Sequence, residues 1–173
     1  ISTTGVYGDC QGEWINEQQP LNPQEDRTKR RVDAEQQLIS FCQKHQIDYV
    51  ILRVAGIYAE DKLPINRLKQ QKPLLAKKDS PFSNRIHADD LCEICIQALS
   101  SDVCGIYHCA DGHPSTMYEY FSGIASALDL PQPPIISKQQ VDQELSTGMA
   151  SYMNESRRID NRKLLNDFGL KLK

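Results

Sequence analysis

No apolar run in this 173-residue chain approaches the roughly 20 residues that a membrane-spanning helix needs. A membrane-spanning helix is therefore not expected, and no secretory leader is visible. Excess positive charge is also missing: 20 Lys and Arg face 23 Asp and Glu, for a net charge of −3. A protein that binds nucleic acid by neutralising phosphates would carry the opposite balance. The basic cluster Arg27, Lys29, Arg30 and Arg31 reads first as a solvated helix face. Cys92 and Cys95 form a C-x-x-C pair, but no second ligand pair lies at matching spacing, so no zinc site is expected. The pair also lacks the strand-to-helix setting of a redox motif. The six cysteines are scattered, which suits free thiols in a reducing cytoplasm better than a disulfide framework. Internal repeats and low-complexity tracts are absent.

What is present alternates between two periods. Ile1 to Gly8 reads as the end of a buried strand followed by a turn. Residues 9–25 are polar, contain Pro20 and Pro23, and read as a loop. From about Glu25 to His45 the pattern is helical, with Val32, Glu35, Leu38, Ile39 and Cys42 on one face. Tyr49 to Val54 reads as a buried strand. A short helix is expected around Pro64 to Gln71. Asp89 or Asp90 is expected to cap a helix reaching Leu99. Gly105 to Cys109 reads as a further strand, and Ser115 as the cap of a helix through Leu128 that Pro131, Pro133 and Pro134 terminate. A last short helix, Asn161 to Phe168, is closed by Gly169. Strands alternating with helices imply an α/β class with a parallel sheet. Three convincing strands are few for such a sheet, whose faces and edges must be covered. The chain therefore reads as part of a larger unit.

Four stretches, taken in order, resemble the extended short-chain dehydrogenase/reductases, the NAD-dependent epimerase/dehydratases. They are Ser2-Thr3-Thr4-Gly5-Val6-Tyr7-Gly8 with Glu17, Pro20 and Pro23; the helix ending in Ala34-Glu35; Leu52-Arg53-Val54-Ala55-Gly56-Ile57-Tyr58; and Asn84-Arg85-Ile86-His87-Ala88-Asp89-Asp90-Leu91. The tail Arg157 to Leu165 with Phe168-Gly169-Leu170 resembles the family's closing helix. The resemblance implies an incomplete Rossmann-like parallel sheet, made of the later strands and helices, with a small C-terminal α/β substrate lobe. In the two-lobed architecture so implied, Arg53 is expected to anchor the lobes by hydrogen bonds. Residues 1–58 would belong to the Rossmann-like domain and 59–173 mainly to the substrate lobe, with residues 84–110 returning to the first. The glycine-rich dinucleotide fingerprint is not in the chain, so the main cofactor-binding half is expected to be absent and this portion alone inactive. NAD or NADP is the cofactor implied for the intact protein. Its partner would be a small-molecule substrate, sugar-like or nucleotide-linked. A homodimer formed partly through the helix at 25–45 is also implied.

The family reaction transfers a hydride between a substrate carbon and nicotinamide while a proton moves at the attached oxygen. It uses a Ser or Thr to hold that oxygen, a Tyr as acid/base, and a Lys one helical turn later that tunes the Tyr and holds the nicotinamide ribose. Thr3, four residues before Tyr7, matches the Ser/Thr. The Tyr and Lys positions, eight and four residues before Glu35, are Arg27 and Arg31. A guanidinium cannot shuttle a proton near neutral pH, so Arg27 cannot replace the Tyr. Arg31 can still offer charge and donors to a ribose or phosphate, and Val54 and Gly56 fall with Thr3 and Arg31 on the cofactor side. On the substrate side the resemblance places Tyr58, Arg85 and His87, with Tyr58 as the candidate for a displaced phenol. Gly56 stands where sugar-nucleotide epimerases commonly carry an Asn. Ser83 stands where they carry a phosphate-binding Arg, with Arg85 two residues along on the same side of a strand. A bland reading of His87 as a packing residue before a helix cap stays open. So does a second function: a dinucleotide-binding regulatory or scaffold protein on the same fold, without turnover.

Overall fold

The computed structural model describes residues 1–173, apart from the side chains of Asp142 and Thr147. In chain order the strands are β1 (Ser2–Thr3), β2 (Trp14–Ile15), β3 (Val50–Val54), β4 (Gly56–Tyr58), β5 (Leu74–Leu75), β6 (Phe82–Ser83), β7 (Arg85–His87), β8 (Gly105–Cys109), β9 (Ser115–Thr116), β10 (Ile135–Ile136) and β11 (Arg158–Ile159). The helices are α1 (Asp26–His45), α2 (Ile65–Lys69), α3 (Ala88–Ser100), α4 (Met117–Ala127), α5 (Val141–Glu144), α6 (Thr147–Met153) and α7 (Arg162–Phe168). Among the described residues no helix is long and apolar enough to cross a membrane, and all six cysteines are free thiols.

The central sheet is parallel, in the order β1-β3-β8, with Ser2 opposite Arg53 and Val54 opposite Cys109. Parallel neighbours require crossovers, and α1 and α3 provide them. The apolar run Val50-Ile51-Leu52 with Val54, β-branched at all but Leu52, suits a strand covered on both faces. Acidic Asp26 opens α1 and basic Lys44 and His45 close it, matching the helix dipole. Its end is a left-handed Gln46 whose N–H returns to the carbonyls of Cys42 and Gln43.

Several local expectations shift by a residue or more. The cap of α3 is His87, which accepts from the Asp89 N–H at 3.2 Å, because β7 runs straight into the helix and leaves Asp89 and Asp90 already inside its first turn. The cap of α4 is Thr116 rather than Ser115, in a reciprocal capping box with Glu119. The polar stretch 9–25 contains β2, which pairs in parallel with β11. Arg53 ties α1 to the sheet instead of joining two lobes.

Apolar side chains gather in separate clusters. Leu52, Val54, Ile86, Ile94, Tyr107, Cys109, Leu164 and Phe168 seal α3 and α7 onto the sheet. A second cluster packs Leu68, Leu74, Leu75, Met117, Phe121, Ala125 and Ile136 with the α5–α6 region. Between them Val6, Tyr7, Ile15, Ala55, Ala110 and Ile159 form a smaller group.

A buried polar chain crosses the sheet through Tyr7, a member of that group. Glu35 accepts from the Ser2 hydroxyl and from Arg53, with Nη2 2.6 Å and Nε 3.2 Å from its oxygens. Arg53 Nη1 donates to the Tyr7 oxygen at 2.6 Å, and the Tyr7 hydroxyl lies 2.6 Å from His108 Nε2. His108 Nδ1 faces the Asp160 carbonyl at 3.0 Å. A carbonyl only accepts, so Nδ1 carries the proton and Nε2 receives the Tyr7 O–H. Burial pushes His108 below its ordinary value and Tyr7 up to about 12, which fits a neutral imidazole beside a neutral phenol.

Candidate functional site

Parallel α/β sheets present ligands at the carboxyl ends of their strands. Here a cleft of about 510 Å³ opens beyond the ends of β1 and β3. That volume lies in the range of small-molecule sites, about 300–1,000 Å³. Three walls enclose it. Thr3 to Gly5 and Val54 to Gly56 form the floor, and Arg27, Thr28 and Arg31 come from the first turns of α1. Phe82 to Arg85, Met117, Met149, Tyr152, Glu155 and Arg157 form the far side.

Thr3 sits in extended backbone, φ −144°, as the cap of the 3-10 turn Thr4–Tyr7. Its Oγ1 accepts from the Gly5 N–H at 3.2 Å, which leaves the hydroxyl proton free to donate. Arg27 donates from Nη2 to Ser151 Oγ at 2.9 Å and stacks 4.7 Å from the centre of the Tyr152 ring. It thereby bridges α1 to α6. Arg31 donates from Nη1 to the Ile1 carbonyl at 3.0 Å. Neither arginine meets a carboxylate among the described residues.

The two departures around β4 and β7 are coupled. A Cβ added to Gly56 would stand 3.2 Å from the Asn84 carbonyl and 3.3 Å from Arg85 Cδ. Arg85 thus occupies space that a longer side chain at position 56 would need. Its guanidinium donates to the Asn84 carbonyl at 2.9 Å and lies 4.0 Å over the Tyr120 ring.

Thr3, Arg27, Arg31, Val54, Gly56 and Arg85 all line the cleft. Tyr58 and His87 are not part of its lining. They face each other on the paired strands β4 and β7, ring centres 5.1 Å apart, and burial raises the Tyr58 phenol above its ordinary value. Asn84 grips the return of the chain, donating to the Arg157 carbonyl at 3.0 Å and accepting from Ile159 N at 2.9 Å. Arg157, itself buried, donates to the Gly8 carbonyl at 2.6 Å and pairs with Glu155 at 2.8 Å. Tyr152, Glu155 and Arg157 were not read as site residues in the sequence. Arg157 fell in the tail that resembles the family's closing helix without a site role, no motif points to Tyr152 or Glu155, and contacts such as Arg157 with Gly8 and Arg27 with Tyr152 bring them in. Among the described residues no group of three His, Cys, Asp or Glu could hold a metal ion.

Comparison with known proteins follows the same outline. No curated protein matches the sequence significantly. Among solved structures, a functionally unknown conserved protein from Silicibacter pomeroyi is 29% identical, with a TM-score of 0.88, over 99% of this chain and 60% of its own. The UDP-N-acetylglucosamine 4-epimerase from Methanobrevibacter ruminantium, in complex with UDP-N-acetylmuramic acid, has a TM-score of 0.78 at 17% identity, over 99% of this chain and 56% of its own. The Thermus thermophilus UDP-glucose 4-epimerase, complexed with NAD, has a TM-score of 0.75 at 19% identity, over 100% of this chain and 58% of its own. The two epimerases establish the shared Rossmann-like fold, and the chain spans somewhat over half the length of these structures. The profile of the NAD dependent epimerase/dehydratase family matches residues 1–110, well over half of the sequence, and the chain belongs to that family.

Proposed function

We propose that the intact protein is an NAD(P)-dependent oxidoreductase or epimerase acting on a sugar-like or nucleotide-linked substrate in this cleft. Residues 1–58 would complete the cofactor domain, and 59–173 would supply mainly the substrate lobe. Residues 84–110, and also α7, would return to the cofactor domain, as their packing on the sheet suggests. The observation that carries the reading is the placement of Thr3, Val54 and Gly56 on one floor at the carboxyl ends of parallel strands, with Arg31 lining the same cleft from α1. A free hydroxyl proton on Thr3 and a guanidinium with unused donors on Arg31 suit the hydroxyls of a nicotinamide ribose. The dinucleotide, when bound, supplies the hydride acceptor or donor. Thr3 then holds the substrate oxygen. Arg27 cannot exchange a proton, but it stacks on the one phenol that lines the cleft, Tyr152. That phenol is the candidate for moving a proton at the substrate oxygen. Exposed Leu38 and Phe41 on α1 suit a homodimer contact, and the free thiols suit the cytoplasm.

A second reading, dinucleotide binding without turnover, is favoured by the guanidinium that stands in place of a proton carrier at position 27. One experiment separates the two. The full-length protein is titrated with NAD and NADP, then screened with sugars and nucleotide sugars for a change at the nicotinamide absorbance band. Turnover that drops in both Thr3→Ala and Tyr152→Phe, with cofactor affinity kept in the latter, supports the enzyme. Binding without turnover on any substrate, with Thr3→Ala indistinguishable from the parent, refutes it.

A further inference from the structure

The protein is acidic overall, yet its cleft is not. Among the described residues four arginines line it (Arg27, Arg31, Arg85 and Arg157) against a single glutamate. Glu155 is committed to Arg157 by a 2.8 Å ion pair. The other three meet only neutral groups among the described residues: the Ser151 hydroxyl and Tyr152 ring for Arg27, the Ile1 carbonyl for Arg31, and the Asn84 carbonyl, Met117 sulfur and Tyr120 ring for Arg85. Elsewhere Arg53 and Arg162 are each paired with a carboxylate, while Arg67 and Arg158 donate singly to backbone carbonyls and stack on aromatic rings. What sets the cleft apart is that three such arginines gather in one cavity.

Arg27 and Arg31 are four residues apart on α1, where like charges on one helix face repel mildly. Each guanidinium has about five N–H donors, and one of them is used on Arg27 and one on Arg31. Two cations held on one wall, with spare donors and neutral partners that an anion can displace, form a receptor for negative charge. Low-dielectric cleft walls focus that field. The position matters as much as the charge. Both arginines share the cleft with Thr3, so the anion lies at the reacting end of the substrate.

We infer that this cleft selects a substrate that carries a carboxylate or phosphate close to its reacting carbon, held by Arg27 and by those donors of Arg31 that the ribose leaves free, with Arg85 adding to the field. The inference rests on reading this cleft as the reaction site. It makes Arg27 a specificity-determining residue rather than a vestige of an acid/base.

The test uses full-length protein with and without saturating NAD or NADP, at fixed ionic strength. Succinate and inorganic phosphate are the anionic probes, and glucose is the neutral one. Binding is read by calorimetry and by thermal protection. Gln is a good helix former, so Arg27→Gln and Arg31→Gln keep α1. At least one anion is expected to bind where glucose does not. Each substitution should weaken it about tenfold, the value of one charge-assisted hydrogen bond, and the double variant should abolish it. Arg30→Gln, outside the cleft lining, should behave as the parent. Whether succinate or phosphate binds more tightly identifies the anion. The inference is overturned if neither anion binds better than glucose, or if the double variant binds as the parent does. Cofactor binding in the same titrations keeps the two claims apart. Arginine-dependent anion binding without any NAD(P) binding sinks the dehydrogenase reading alone, and NAD(P) binding without it sinks this inference alone.

Discussion

Removing Glu35 should cost more than any other single truncation on α1. Its carboxylate and the Arg53 guanidinium are 4% and 3% exposed and 2.6 Å apart at their closest atoms. Burial works against the Arg53 charge, and Glu35 and Tyr7 together more than offset it, holding the guanidinium above its ordinary value. Two unit charges about 4 Å apart at an effective dielectric of about 20 attract by about 4 kcal/mol. Truncating one partner of a buried pair typically costs about 3–5 kcal/mol, because the other charge is left stranded. Glu35→Leu also takes the acceptor from the Ser2 hydroxyl, and Arg53→Met takes a donor from Tyr7. Each lost hydrogen bond adds about 1 kcal/mol. Either single variant should therefore lose about 4–6 kcal/mol. The double variant Glu35→Leu/Arg53→Met strands no charge and should lose only about 2 kcal/mol. The assay is urea denaturation of the full-length protein for all members of the cycle, with midpoints compared at constant slope. Additive single losses, or a Glu35→Leu loss below about 1 kcal/mol, would falsify the claim that this pair is buried and coupled.

Four further outcomes are expected. His108 is pushed below its ordinary value by burial; the unfolded chain therefore binds a proton first as pH falls below about 6.5, and stability should drop by at most about 1.4 kcal/mol per pH unit from that side. Above that pH both states are neutral there, and His108→Gln should flatten the slope in pH-dependent denaturation. Gly8 has φ +63° and ψ −149°, and a Cβ there would stand 2.3 Å from the Asn22 carbonyl oxygen; Gly8→Ala should cost more than about 2 kcal/mol in the same assay. Thr3→Ala should lower kcat about 100-fold, in line with loss of a preorganised donor at the reacting oxygen, and Thr3→Ser should restore it. Tyr152→Phe should lower kcat about 100-fold or more while leaving the NAD(P) dissociation constant unchanged, a split that a purely structural Tyr would not produce.

The long elements were legible because each carries its own period. The strand at Val50–Val54 is a run of buried apolar residues, and α1 begins and ends within a residue of its sequence reading. Two-residue strands such as β2, β5, β6 and β11 have no period to detect. They exist because a distant segment offers a partner, as Arg158 does for Trp14. The cleft divides in the same way. Thr3, Arg27 and Arg31 stood out through fixed spacing from Tyr7 and Glu35. Tyr152, Glu155 and Arg157 carry no spacing, and the Arg157 bond to Gly8 joins residues 149 positions apart.

The helix face shows where hydrophobic periodicity misleads and what replaces it. Val32, Glu35, Leu38, Ile39 and Cys42 share a face by spacing, yet Leu38 is 42% exposed and the buried residues of α1 are Thr28, Glu35 and Cys42. This helix is held to the sheet less by an apolar stripe than by a carboxylate that reaches Ser2 and Arg53. A polar anchor fixes rotation about the helix axis more sharply than greasy contact does, because hydrogen bonds weaken steeply away from their preferred angles. Eight and four residues before Glu35, that rotation sets where Arg27 and Arg31 sit. The buried pair and the exposed pair are thus one construction: Glu35 turned inward places two guanidiniums at the cleft. Glu35→Leu should consequently loosen anion binding at Arg27 and Arg31 even where the protein stays folded, whereas Leu38→Ala, on the same helix but outside the network, should leave it intact.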